Sequence, residues 1–151
     1  MKGIADMEIR RLYPEELSAG LKLIWETFLE FEAPDYSQEG INSFHDFITN
    51  PDCLVSLEFI GAFQEGQLKG VIAAKDDRRH ICCFFVEAAS QRQGIGRMLW
   101  NSVKKGNQNN TVTVNSSPYA VPFYHKLGFV DTDTEQITDG IRYTPMEYRI
   151  I

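Results

Sequence analysis

Seven residues, Gln91-Arg92-Gln93-Gly94-Ile95-Gly96-Arg97, bring two glycines, two arginines and two amides together between an apolar run, 81–86, and a helical pattern. In that pattern Ile95, Met98, Leu99 and Val103 share one face at 3.6-residue spacing. Glycine lets a backbone come close to a ligand, and the first turn of a helix offers free N–H groups and a positive dipole end. Such a turn is suited to holding an anion, phosphate above all. Two familiar glycine motifs do not account for it. A P-loop would end Gly-Lys-Ser/Thr, whereas Gly96 is followed by Arg97 and Met98; a dinucleotide fingerprint would need a third glycine. The turn instead reads Q/R-x-x-G-x-G/A.

A second group of polar and aromatic residues follows at 115–129, written N…A-x-x-F-Y-x-x-x-G-F, with Asn115, Ala120, Phe123, Tyr124, Gly128 and Phe129 at the marked places. With both segments present at this separation, the chain resembles the GNAT acetyltransferase superfamily. The resemblance implies that the turn from Gln91 through Arg92, Gln93, Gly94, Ile95, Gly96 and Arg97 wraps the pyrophosphate of acetyl-coenzyme A, chiefly by main-chain N–H groups. It implies main-chain contacts from Phe85 and Val86 to the pantetheine arm, a hydrogen bond from Asn115 to that arm, and cofactor contacts from Phe123 and Tyr124. It also implies that Tyr124 is the general acid beside the coenzyme sulfur. A proline common in relatives two residues after the valine is here Ala88.

Acetyl transfer from a thioester to an amine needs positioning, a polarised carbonyl and the management of two protons. For the amine's proton the expected base is Glu87, at the end of the central strand. Glu30 and Glu32, at the end of the first helix, and His80 and His45 are alternatives, as is a water chain. Residues 31–40 and 133–139 are rich in acids, among them Glu32, Asp35, Glu39, Asp133, Glu135 and Asp139, and suit a mouth for a cationic amine. Cys53, Cys82 and Cys83 belong to no nucleophile arrangement, which favours direct transfer over a covalent acyl-enzyme. Neighbouring cysteines on a strand point to opposite faces, and no spacing suggests a metal site.

These groups need a scaffold. Residues 7–12 alternate as a strand. Pro14, Glu15 and Glu16 open a helix striped by Leu17, Leu21, Ile24, Trp25, Phe28 and Leu29. Ala33-Pro34-Asp35-Tyr36 breaks it, and Ser37 caps a second helix carrying Ile41, Phe44, Phe47 and Ile48 as far as Asn50-Pro51. A strand with Val55, Leu57, Phe59 and Phe63 on one face and a partner over 68–75 make a hairpin about Glu65-Gly66. Asp76-Asp77 leads into the central strand. After the phosphate-turn helix come a strand over 111–114, a helix begun by Ser117 and Pro118 with Pro122 in its first turns, a strand from Phe129, and a closing strand over 141–150. The expected fold is an α/β, mixed but mostly antiparallel sheet of six to seven strands flanked by about four helices, the GNAT fold, with residues 1–151 as one domain.

Composition narrows the partners. At 151 residues the chain can bury a core without metal or disulfide help, and no apolar run could span a bilayer. The N-terminus has no signal-peptide pattern, so a cytoplasmic location is expected, and the resemblance implies a monomer or homodimer. A net charge of −6 argues against nucleic acid and fits a cationic amine. The leading expectation is an N-acetyltransferase acting directly from acetyl-CoA on a primary amine, with no metal. The rival readings are a non-catalytic coenzyme A sensor and a transferase of another acyl group.

Overall fold

The computed structural model describes residues 6–150. In chain order the strands are β1 (Met7–Arg11), β2 (Glu58–Gln64), β3 (Gln67–Lys75), β4 (His80–Val86), β5 (Thr111–Ser116), β6 (Val130–Asp131), β7 (Gln136–Thr138) and β8 (Ile141–Arg149). The helices are α1 (Leu17–Phe31), α2 (Gln38–Thr49), α3 (Pro51–Val55), α4 (Ile95–Lys104) and α5 (Val121–Leu127). The sheet runs β1-β2-β3-β4-β5-β8-β6, with β7 hydrogen-bonded to β8 as a side hairpin. All pairs are antiparallel except β4 and β5.

That parallel pair shapes the molecule. β4 and β5 share only the pairs His80↔Thr113 and Ile81↔Val114, then part. On its other side β4 stays laddered to β3 as far as Val86, so the strand is held while its β5-facing edge is left open. Cys83 stands opposite Ala73 and Ile81 opposite Ala74, so Cys82 is the extra residue of a β-bulge.

The core lies on both faces of the sheet. One face packs Ile95, Leu99, Trp100 and Val103 of α4, with Tyr124 and Leu127 of α5, against Ile72, Ile81 and Val112. The other packs Leu23, Ile24 and Phe28 of α1, with Ile48 of α2, against Phe59, Val71, Cys83 and Phe85. Phe28 and Phe44 stack with centroids 4.1 Å apart, locking α1 to α2.

Three details differ from the sequence expectation. Asn50 does not simply end a helix: its side chain accepts from Asp52 N at 2.9 Å and Cys53 N at 3.4 Å, and Pro51 enters at the first turn, so α3 forms. Val55, itself exposed, therefore ends α3 rather than beginning β2. Ser117 and Pro118 make a turn, closed by Ala120 N donating to Ser117 O at 3.1 Å, and α5 begins only at Val121. β7 forms inside the acid-rich stretch read as a loop, so the described residues hold eight strands and five α-helices. Among the described residues no helix is long and apolar enough to cross a membrane.

Candidate active site

The opening between β4 and β5 widens into a cleft of about 460 Å³, roofed by α2 and the β7–β8 hairpin. The two parts of the roof are fastened to each other by close backbone contact. Gly40 of α2 and Gly140 of the hairpin turn touch so closely that a Cβ on either would overlap the other's main chain. Ser43 Oγ donates to Asp139 O at 2.8 Å, and Arg142, held by Glu135, reaches Asp35 O at 3.3 Å.

Tyr124 enters the cleft from the first turn of α5 and is buried. Its ring stands in an aromatic wall, 6.0 Å from Phe84, 5.8 Å from Phe123 and 5.3 Å from Phe129. Burial, and then the neighbouring Glu32 and Cys83 groups, push its phenol well above 10, so it keeps its proton at neutral pH.

Glu32 caps the C-terminal end of α1 and faces the same cleft. Burial raises its carboxyl to about 7, against a hydrogen bond from the Ser117 hydroxyl, which lowers it, and with the help of the Asp35 carboxylate. A carboxylate that titrates near neutrality beside a protonated phenol is an acid–base pair of the kind proton transfer needs. Tyr36 borders the pair, its phenol pushed up by burial and by Glu32.

Glu87 lies elsewhere. Its carboxylate is 3.2 Å from Lys69 Nζ and accepts from Ser90 Oγ at 2.7 Å, in a separate hollow on the α1 side that Glu30 also lines. His45 is exposed on α2, edge-on to Trp25 at 5.0 Å. Of the five side chains weighed as bases, Glu32 and His80 are the two that line the cleft with Tyr124. The bulge alters the expectation for the cysteines: both Cys82 and Cys83 border the cleft, with thiols pushed up by burial, Cys82 to about 11. Neither is an activated nucleophile.

The glycine turn has the shape of an anion cradle at the start of α4. Arg92 and Gly94 both take left-handed backbone, φ 65° and 84°, which curls the chain into the start of α4. Gln91 does not point outward with it: its Nε2 donates to Val86 O at 3.0 Å, and its Oε1 accepts from Tyr119 OH at 3.3 Å. It fastens the turn to the end of β4. Arg92, Gln93 and Gly94 are exposed, while Ile95 and Gly96 are buried. A Cβ on Gly96 would stand 2.8 Å from Phe123 Cζ, so this glycine lets α5 close on α4. Arg97 is exposed, one Nη 3.4 Å from Lys126 O. Phe85 turns its ring into the α1–α2 face, 6.0 Å from Phe44, and Val86 is half-buried. Asn115 is exposed on the cleft wall opposite. The open edge of β4 and the Asn115 amide border the cleft. Ser117 and Phe84 also line the cleft, Ser117 from inside the second motif and Phe84 from inside the central strand. Among the described residues no group of His, Cys, Asp or Glu is arranged to hold a metal ion.

Known proteins share this architecture. A solved GCN5-related N-acetyltransferase from Rhodopseudomonas palustris superposes with a TM-score of 0.82 at 18% identity, covering 99% of each chain. The PaiA N-acetyltransferase of Thermoplasma acidophilum, solved with coenzyme A, gives 0.75 at 23% identity over 95% of this chain and 98% of that one. FeeM, an N-acyl amino acid synthase from uncultured soil microbes, gives 0.70 at 16% identity over 95% and 91%. No curated protein sequence matches the chain. The family model for the acetyltransferase (GNAT) domain matches residues 32–150, from Glu32 through both motifs to the closing strand, and the chain belongs to that acetyltransferase family.

Proposed function

We propose that this protein transfers the acetyl group of acetyl-CoA directly to a primary amine, with Tyr124 as general acid and Glu32 as general base. The observation that carries the reading is that these two groups face one cleft where β4 and β5 part. The cradle at 92–96 would take the pyrophosphate, the free edge of β4 at Phe85 and Val86 the pantetheine amides, Asn115 the same arm, and Phe123 its flank. The coenzyme supplies an activated thioester; the chain supplies placement and proton traffic.

The balance closes with the groups present. The amine nitrogen bonds to the acyl carbon and the carbon–sulfur bond breaks. The nitrogen's proton passes to the Glu32 carboxylate, the departing sulfur takes the Tyr124 proton, and Glu32 returns its proton to Tyr124. A base near 7 is half-ionised at neutral pH, which suits it both to accept and to return a proton. Asp35 and Asp139 add negative charge that draws a protonated amine towards Glu32, and the ammonium gives its extra proton to solvent before its nitrogen attacks.

The test is thiol release from acetyl-CoA against a panel of amines, amino acids, polyamines and peptides, beside calorimetric titration of the coenzyme. Turnover that falls in both Glu32→Gln and Tyr124→Phe while coenzyme affinity holds supports the assignment. Binding without turnover for any acceptor favours a sensor module, and absence of binding refutes both. The likeness to an N-acyl amino acid synthase gives a second reading, transfer of a longer acyl group. Comparing thioesters of different chain length in the same assay decides it.

A further inference from the structure

The cleft is longer than proton transfer requires, and its two ends differ in charge. Glu32, with Asp35 behind it, marks the transfer end. Asp139 belongs to this end too, because its carbonyl is tied to Ser43 in the first half of α2, a few residues after Tyr36. The floor then follows β4 backwards from Cys83, beneath Phe44 and Phe47, to His80 and Lys75.

Lys75, with the uncharged His80 beside it, forms the opposite pole. His80 Nδ1 is fixed at 2.7 Å from Thr113 Oγ1, which sets the ring and leaves Nε2 as its other polar atom. Lys75 stands close enough to lower the His80 pKa, after burial; Asp76 acts weakly the other way. Arg78 is spent on Glu58, and Arg142, at the transfer end, on Glu135. Among the described residues Lys75 has no carboxylate within ion-pair distance, although it lines the cleft.

Resting on the acetyltransferase reading, we propose that the acceptor is an amino-carboxylate, its amine at Glu32 and its carboxylate held by Lys75 and His80. The separation sets its length. Glu32 stands close enough to Cys83 to act on its thiol, and the three positions from Cys83 to His80, the bulged Cys82 among them, span at most about 10 Å. Two or three extended peptide residues reach roughly 7 to 10 Å. The acceptor is therefore the size of a di- or tripeptide, or an ω-amino acid of like length, whereas the two charges of a free α-amino acid lie too close together. Phe44, Phe47 and Tyr143 favour an apolar middle.

The experiment compares Gly-Phe-Leu with its C-terminal amide, and 8-aminooctanoate with octylamine, as acceptors of wild-type protein and of Lys75→Ala. The acid should exceed the matching neutral compound by tenfold or more in kcat/KM, and that ratio should collapse towards one in the variant. Equal use of acid and amide by wild type, or a ratio that Lys75→Ala leaves intact, overturns the subsite while leaving acetyl transfer standing. Loss of turnover with every acceptor would refute the acetyltransferase reading instead. In that case calorimetric binding of the same peptide acid and amide to the coenzyme-loaded protein still decides the subsite. His80 gives a further readout by NMR: the peptide acid should raise its titration midpoint and the amide should not.

Discussion

Replacing Glu32 with Gln separates its cost to the fold from its use in catalysis. In the folded protein its carboxyl titrates at about 7 against an ordinary 4.5, chiefly because it is withdrawn from water. At about 1.4 kcal/mol per pH unit, that difference amounts to about 3 kcal/mol. The folded value lies above the unfolded one, so the unfolded chain releases this proton first. Stability associated with the neutral carboxyl is full below pH 4.5 and is lost as pH rises through 7. Glutamine is neutral throughout and can accept the same Ser117 hydroxyl bond. Glu32→Gln should therefore match wild type at pH 4.5 and exceed it by up to about 3 kcal/mol at pH 8, on the order of 6 to 10 °C in Tm for a chain of this size. The same change should lower kcat/KM by about 10² to 10⁴. In wild type, kcat/KM should rise with pH and level off above about 7. Thermal melts at the two pH values and a pH–rate profile read both effects. Equal melting at pH 8, a gain that is the same at both pH values, or a flat rate profile through 7 would refute the argument.

Other substitutions test the remaining parts. Tyr124→Phe removes the hydroxyl and keeps the ring against Phe84 and Phe129; steady-state kinetics should show kcat reduced about a hundredfold, with coenzyme affinity by calorimetry held. Glu87→Gln breaks a partly exposed pair with Lys69 and should cost less than about 1 kcal/mol in urea melts; a kcat loss equal to that of Glu32→Gln would return the base to the end of β4. Gly96→Ala drives a methyl into Phe123, 2.8 Å away, and should cost about 1 to 3 kcal/mol in denaturant melts, recovered in part by trimming Phe123 to Leu. Gly40→Ala forces α2 off the Gly140 turn; it should raise KM for the amine more than for acetyl-CoA, because the roof it loosens covers the acceptor end of the cleft.

The parts legible in the sequence are those specified locally. The stripe of α1, the Ser37 cap of α2 and the strand-to-helix turn at 91–97 depend on neighbours in the chain, and they form where periodicity and turn chemistry placed them. What was not legible depends on contacts distant in sequence. Cys82 is a bulge residue only because β3 and β4 slip by one position between Ala73 and Ala74, and nothing in Ile81-Cys82-Cys83 marks that slip. β7 is three residues long and exists because β8 offers it an edge. α3 is legible in principle, because Asn50-Pro51 is a cap followed by a first-turn proline and so marks a start as well as a stop.

The proposal of Glu32 over Glu87 as base rests on contacts that a local motif does not encode. Glu87 is nearer in sequence to the phosphate turn and sits at the end of the strand that carries the chemistry. Yet β3 passes beside it, and the bulge that leaves Lys69 between Leu68 and Gly70 brings Lys69 Nζ within 3.2 Å, so its charge is neutralised outside the cleft. Glu32 lies more than fifty positions before Gln91, but α1 crosses the sheet so that its last turn meets Ser117, just past the end of β5. A base needs a particular electrostatic setting: partial removal from water, one hydrogen bond, and no cation to hold it ionised. That setting is made by three segments meeting in space, and for Glu32 they are the end of α1, the turn after β5 and Asp35.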